Sequence, residues 1–557
     1  MARRALFAPN RLLTYAIAVL TAAVLCSSAG PAAAAAPHAP PSPAGSSPPS
    51  IRWQNCRDLT GAPVDPTVAD CAKHRVPRDY AHPADGSVEI VLLRHRATDP
   101  ERRRGALFVN PGGPGSSGLH TAYRADRFLE PEVLAQYDVI GFDPRGVNLS
   151  DPLKCFRSQS EHDNALLGRL VLPVGGKQVA ATMAAAARHT AACAQNAGPL
   201  LAHMTTLDAA RDLDRLRQAA GESRLSFVGF SYGTLLGATY ANLYPRRVDA
   251  MVLDGAVDPQ LRSHDGLAYD RRRADGMELA LTEFLRVCDA ADDRCAFSTG
   301  DPRRRLDRIL TRLRGGPLRL PDGTDMSLSA VTSLLADSLA TPARLPGLAR
   351  TLALLDAAPH APRTAVADRS GPSAQHPSAH DEDAHDESAH DRASTTDDED
   401  EAAVSEPPYR GDDSEPAYNC LDKPYPASPR TWPGRADRWE RTAPHFGRMI
   451  AMESAVCATW PERPARADRY TGPWNRPTDR PVLVIGNLYD PTTQYRFAER
   501  LTEQLGRAEL VTVDMIGHTA LGMSACADEI TTRYLLGGAP AHARVCTPDD
   551  PPFTIRD

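Results

Sequence analysis

The chain has 557 residues, 42% apolar and 24% charged, enough for two or three structural units with a sizeable core and too many for a disulfide-stapled mini-scaffold. Its formal net charge of −7 hides an imbalance: residues 381–415 alone hold 15 acidic and 2 basic side chains, −13, so the rest of the chain stands at +6. A body this close to neutral argues against a dedicated nucleic-acid surface, and no nucleic-acid partner is expected.

Taken in chain order, residues 1–10 are basic, 12–26 apolar, and 27–36 small and Ala-rich. That is the layout of a secretory signal, expected over residues 1–36 and cleaved after Ala34 or Ala35. The pair Arg3-Arg4 also fits a twin-arginine signal, so export by Sec or Tat into the extracellular space is expected. The apolar run is short of the ~20 residues a membrane span needs, and no stable span is expected elsewhere. Without Cys26, ten cysteines remain: Cys56, Cys71, Cys155, Cys193, Cys288, Cys295, Cys420, Cys457, Cys526 and Cys546. An even set in an exported chain reads as disulfides, and sequential pairing into five short loops is expected, although spacing alone does not fix connectivity. CxxC spacing is lacking, so neither a metal nor another cofactor is implied.

Short apolar runs at 88–93, 106–109, 137–142, 225–230, 250–253, 482–485 and 509–513 are bounded by Gly, Pro or Asp and read as buried strands. Helical patterns at 206–220 and 232–243 alternate with them, which predicts an α/β fold: a mostly parallel sheet with helices on both faces. Residues 37–257 and 471–557 form its two parts. Between them, 258–470 is mainly helical, with helices expected at 267–289, 303–313, 327–340, 344–357 and 438–456. Such an insertion would cap the carboxyl edge of the sheet, where open α/β sheets bind ligands. Within it, 366–417 is Pro, Ser, His and acid, too poor in apolar side chains to fold, and a disordered insertion is expected. Its repeated His380, His385 and His390 read as part of a solvated linker rather than a metal site.

Three motifs carry chemistry. G-F-S-Y-G-T (229–234) follows a strand and opens a helix, so its glycines let the backbone turn sharply and present Ser231 at a helix N-terminus. N-P-G-G-P-G-S-S-G (110–118) ends another strand but lacks the Lys-Ser/Thr of a phosphate loop. It suits an oxyanion hole, with Gly113 as one N–H donor, because Pro111 and Pro114 have none, and Tyr232 as the other. Past the last two strands stand Asp490 and His518, completing the order Ser, Asp, His: Ser231 as nucleophile, His518 as base and Asp490 as its orienting acid.

Together with G-F-D-P-R-G (141–146), D-P-T-T (490–493), C-A-T-W-P (457–461) and the Cys526–Cys546 tail, these motifs resemble the secreted tripeptidyl aminopeptidases of actinomycetes. Those are prolyl-aminopeptidase-like serine peptidases with an α/β-hydrolase fold. The resemblance covers most of 52–550, excluding the acidic insertion. It implies an α/β hydrolase with an inserted helical cap, and the same three catalytic residues. Two departures stand out: Asn487-Leu-Tyr before the acid, and Thr519 after the base.

The expected activity is release of short, tripeptide-sized fragments from peptides or proteins with free N-termini through an acyl-enzyme, by a monomer. A carboxylesterase with the same triad is the alternative, and a catalytically silent binding protein a third. Selectivity for an amino terminus needs an anion from the cap, for which Glu453 and Asp422 are the candidates, Lys423 being placed to neutralise Asp422.

Overall fold

In the computed structural model, residues 48–61, 64–361, 409, 413–461, 469–539 and 544–554 are described. The signal segment 1–36 and the insertion's His380, His385 and His390 lie outside the described residues.

The central runs are apolar at almost every position because both their faces are covered. The strands are β1 (Ala69–Pro77), β2 (Ser87–His95), β3 (Gly105–Asn110), β4 (Tyr137–Phe142), β5 (Leu225–Phe230) and β6 (Val248–Asp254). A two-residue hairpin, β7 (Leu318–Arg319) and β8 (Asp325–Met326), interrupts the series, which resumes with β9 (Val482–Tyr489), β10 (Ala508–Ile516) and β11 (Arg544–Cys546). Among the described residues nine strands form one sheet in the order β1-β2-β4-β3-β5-β6-β9-β10-β11. β1, β2 and β4 pair antiparallel; every other neighbour is parallel. Alternate residues of each strand feed opposite cores. Phe108, Ile140 and Phe227 pack on one face, and Leu107, Val139 and Val228 on the other. Burying each such side chain contributes about 1.5–3 kcal/mol, the main term holding the layers together.

β1 and β11 are absent from the apolar-run reading. β1 carries Asp70, Lys73, His74 and Arg75, so its sequence lacks a run, and the Cys56–Cys71 disulfide anchors it. β11 has only three residues and is fastened to helix Ala525–Leu535 through Cys526–Cys546. The other bonds are Cys155–Cys193, Cys288–Cys295 and Cys420–Cys457.

The cap has its own core, built from Phe284, Leu306, Val331, Leu352 and Trp439. Leu172 and Val179 join it, so residues upstream of β5, including the unforeseen helix Gly175–Asn196, also support the cap. Two expectations need correction. The single helix at 438–456 is two, Trp432–Thr442 and Gly447–Glu453. Pro444 forces Ala443 out of the helical region (φ −138°, ψ 83°) and removes a donor. The insertion also ends before 417: Asp413 is buried, its Oδ2 accepting the Cys155 N–H (2.8 Å) and its Oδ1 meeting His189 Nε2 (2.9 Å). Helix Ser414–Asp422 follows, burying Ala417 and Tyr418. With Leu421 these make three apolar side chains, and they join the core that covers one face of the sheet.

Candidate active site

Ser231 sits between β5 and helix Tyr232–Leu243 with φ 53° and ψ −122°, a conformation that costs a non-glycine residue roughly 1–3 kcal/mol. The surroundings hold it there. Its N–H donates to Asp254 O (2.9 Å), and its carbonyl accepts from Thr234 N–H (2.9 Å) and Thr234 Oγ1 (2.6 Å). The flanking glycines are required by space: a Cβ on Gly229 would lie 2.5 Å from Gly233 O, and one on Gly233 2.5 Å from Asn110 O.

The Gly-rich loop after β3 lies directly on this bend. Gly112 has φ 99°, and a Cβ there would meet Phe230 O at 2.5 Å and Ser231 Cβ at 2.9 Å. Gly113, Ser231 and Tyr232 line one cleft. The loop is tied down from G-F-D-P-R-G. Asp143 accepts from Ser117 Oγ (2.7 Å) and Asn148 Nδ2 (2.8 Å), and burial nonetheless pushes its carboxyl up to about 6. Arg145, fully buried, makes a bidentate pair with Asp212 (2.6 and 2.7 Å). This motif is therefore scaffold for the loop rather than chemistry.

Asp490 and His518 come together from the turns after β9 and β10. His518 Nδ1 lies 2.9 Å from Asp490 Oδ2 and 3.1 Å from Oδ1. D-P-T-T explains the acid's setting: Oδ1 accepts the N–H groups of Thr492 (2.8 Å) and Thr493 (2.7 Å), and Oδ2 accepts from Thr493 Oγ1 (3.0 Å). Burial alone would depress the imidazolium, but the charge and hydrogen bond of Asp490, helped by Asp254 and opposed by Arg273, carry the His518 pKa above its usual value. His518 also borders the serine bend, since a Cβ on Gly255, next to Asp254, would lie 3.1 Å from His518 Cε1.

Asn487, noted above only as a departure, has a clear position. Its buried Nδ2 donates to Gly517 O (2.9 Å) and Thr519 O (2.7 Å), the carbonyls on either side of His518. Thr519, the other departure, sits at φ 67°. Nothing local in the sequence marks Asn487, because its partners are 30 and 32 residues away.

The helical insertion also lines the cleft. Glu453, at the end of helix Gly447–Glu453, lines it, and so does Glu415, which the sequence reading passed over as part of the insertion. Glu453 is paired with Arg273 (3.0 Å). Asp422 is turned away, accepting Thr206 N–H (3.1 Å) and Thr206 Oγ1 (2.5 Å), and burial raises its pKa against the pull of Arg262. Lys423 does not neutralise it; Nζ binds Asp270 (3.1 Å) instead, and burial lowers the lysine to about 8 even with that partner. Helical geometry explains both corrections: adjacent residues at a helix end point in different directions.

Comparison with known proteins bears on the fold and the family. Residues 105–290 match the family described as "alpha/beta hydrolase fold" and residues 443–546 match "TAP-like protein". The serine protease Hip1 of Mycobacterium tuberculosis is 30% identical over 494 residues, 88% of this chain and 89% of that protein. The chain belongs to the tripeptidyl-aminopeptidase-like serine peptidases. Within this family, tripeptidyl aminopeptidase of Streptomyces coelicolor is 29% identical over 520 residues, 90% of this chain and 87% of that one. Carboxylesterase B of M. tuberculosis is 29% identical over 511 residues, 90% of each. The chain is thus a serine hydrolase of α/β-hydrolase fold. No helix among the described residues is long and apolar enough to cross a membrane.

Proposed function

We propose that this chain is an exported serine exopeptidase that removes short, tripeptide-sized fragments from free amino termini. Ser231 Oγ attacks the scissile carbonyl and gives its proton to His518 Nε2, while Asp490 holds Nδ1–H and with it the tautomer. The Gly113 and Tyr232 N–H groups face the oxyanion, and His518 returns the proton to the departing amine. Water then releases the acyl fragment by the same route.

The observation that carries the exopeptidase reading is the cleft itself, lined by Ser231 and Gly113 together with Glu415 and Glu453 from the cap. Two carboxylates in the nucleophile's cleft suit a substrate ammonium, which there competes with Arg262, Arg273 and Lys423, cations that line the same cleft. The similarity to tripeptidyl aminopeptidase supports the same reading. A carboxylesterase reading is favoured by one contact, the Arg273–Glu453 pair, which already neutralises one of those carboxylates, and by the similarity to carboxylesterase B.

Paired substrates separate the two. A free tripeptide chromophore amide should be cleaved, and its N-acetyl form should lose roughly 30- to 5,000-fold in kcat/KM, since an unpaired buried counter-charge costs roughly 2–5 kcal/mol. Equal rates on the two amides, or ester cleavage without amide cleavage, would overturn the exopeptidase reading.

A further inference from the structure

Asp254 ends β6 fully buried, at the meeting point of the two catalytic turns. Its backbone carbonyl accepts the Ser231 N–H (2.9 Å). Its side-chain Oδ2 accepts the N–H groups of Ala520 (2.8 Å) and Leu521 (2.9 Å), two and three residues past His518. Oδ1 accepts no hydrogen bond among the described residues. The next residue, Gly255 (φ 67°), lies against the imidazole, for a Cβ there would stand 3.1 Å from His518 Cε1 and 3.3 Å from Thr493 Oγ1.

We propose that Asp254 is a positioning residue for His518, a second carboxylate that ties the histidine turn to the serine bend and whose charge stabilises the imidazolium formed during acyl transfer. The proposal rests on the triad reading above.

Economy in charge burial points to this role. Two backbone N–H groups could be accepted equally well by an asparagine oxygen, with no charge to bury. The carboxylate is instead retained where burial drives its pKa up to about 6, against the pull of the Ala520 and Leu521 amides. A cation nearby is what rewards that charge, and the neighbouring group that becomes a cation in the reaction is His518. Among the described residues the leading charged neighbours are these. His518 faces Asp490 from the turn after β9, Asp254 from β6 and Arg273 from the cap helix Gly266–Ala290. Asp254 faces His518 and Asp490, and Asp528 from helix Ala525–Leu535 senses it. Asp490 makes the hydrogen bond to Nδ1, so Asp254 acts on the ring through its charge and through the backbone it holds.

The sign of the effect follows. A negative Asp254 favours the imidazolium, so removing its charge lowers the His518 pKa and moves the acid limb of the rate profile to lower pH. The test is the rate of inactivation by a fluorophosphonate between pH 4.5 and 9. Asp254→Asn keeps an acceptor for Ala520 and Leu521 while losing the charge. Its acid-limb midpoint should fall by about half a pH unit or more, with a plateau about 3- to 30-fold below wild type. Asn487→Ala, a neutral change in β9 that also releases the histidine turn, should lower the plateau and leave the midpoint in place. An unmoved midpoint in Asp254→Asn overturns the proposal, whatever happens to the plateau.

A measurement on the wild type covers a variant that fails to fold. The downfield Nδ1–H proton resonance of His518, followed by NMR over the same pH range, should show two inflections, one from the ring and one from Asp254. A single inflection overturns the proposal. Failure of the triad reading itself would be visible separately, as labelling that survives Ser231→Ala.

Discussion

Replacing Asn487 by alanine separates the placement of the base from its chemistry. The change removes hydrogen bonds of 2.9 and 2.7 Å to Gly517 O and Thr519 O, at a site that is 1% exposed. Each buried carbonyl left without a donor costs about 1–3 kcal/mol. Part is recovered, because the amide's own Oδ1 is buried without a partner among the described residues. The net loss is then about 2–4 kcal/mol. For a chain of this length the unfolding entropy is about 1 kcal/mol per kelvin, so the melting temperature should fall only about 2–4 °C. Activity should suffer far more. The turn carrying His518 loses both of the Asn487 restraints that flank the ring, and a displacement of about 1 Å can cost about a hundredfold in rate. The expected result is a 10- to 100-fold loss of kcat on a peptide amide with KM nearly unchanged, measured beside a thermal melt. A variant with wild-type kcat would refute the claim that Asn487 places the base. A collapse of the melt by tens of degrees would refute the magnitude.

Two further outcomes follow from the same geometry. Ser231→Ala should abolish fluorophosphonate labelling and leave the melting temperature nearly unchanged, because alanine bears the same backbone strain at φ 53° as serine; normal labelling would remove Ser231 as the nucleophile. Asp528, whose Oδ1 accepts Gly522 N–H (2.9 Å), is raised by burial from 3.8 to about 7. The folded state therefore holds that proton more tightly than the unfolded state, and the stability it contributes below about pH 4 is lost as pH rises toward 7. Asp528→Asn keeps an acceptor and removes this loss, so its melting temperature relative to wild type should climb between pH 4 and pH 8, by about 2 °C for an effect of about 2 kcal/mol. A difference that is flat with pH would show that Asp528 is not held protonated.

Much of the molecule can be read along the chain, because the information is local. The runs at 137–142 and 225–230 coincide with β4 and β5, and the pattern at 232–243 with helix Tyr232–Leu243. Central strands buried on both faces leave an apolar run that needs no partner to recognise. Ser231 is equally legible, since Gly229 and Gly233 are dictated by contacts within a few residues or with the adjoining strand. The order of Ser231, Asp490 and His518 past their strands follows from chain direction in a parallel sheet, which puts every such turn at one edge.

What the tertiary structure alone decided is which polar side chains meet. Asn487 brackets His518 across two strands, Asp254 reaches Ala520 and Leu521 over 266 and 267 residues, and Lys423 chooses Asp270 rather than its neighbour Asp422. None of these pairings has a period or a spacing, because a polar group buried by folding must find its partner wherever packing brings one within about 3 Å. The cap wall is of the same kind. Glu415 belongs by composition to the acidic insertion, yet helix Ser414–Asp422 docks on a core it does not itself encode, and the carboxylate reaches the cleft as a result. Hydrophobic burial is proportional to area and so leaves its mark residue by residue, whereas a hydrogen bond is directional and is written only in three dimensions.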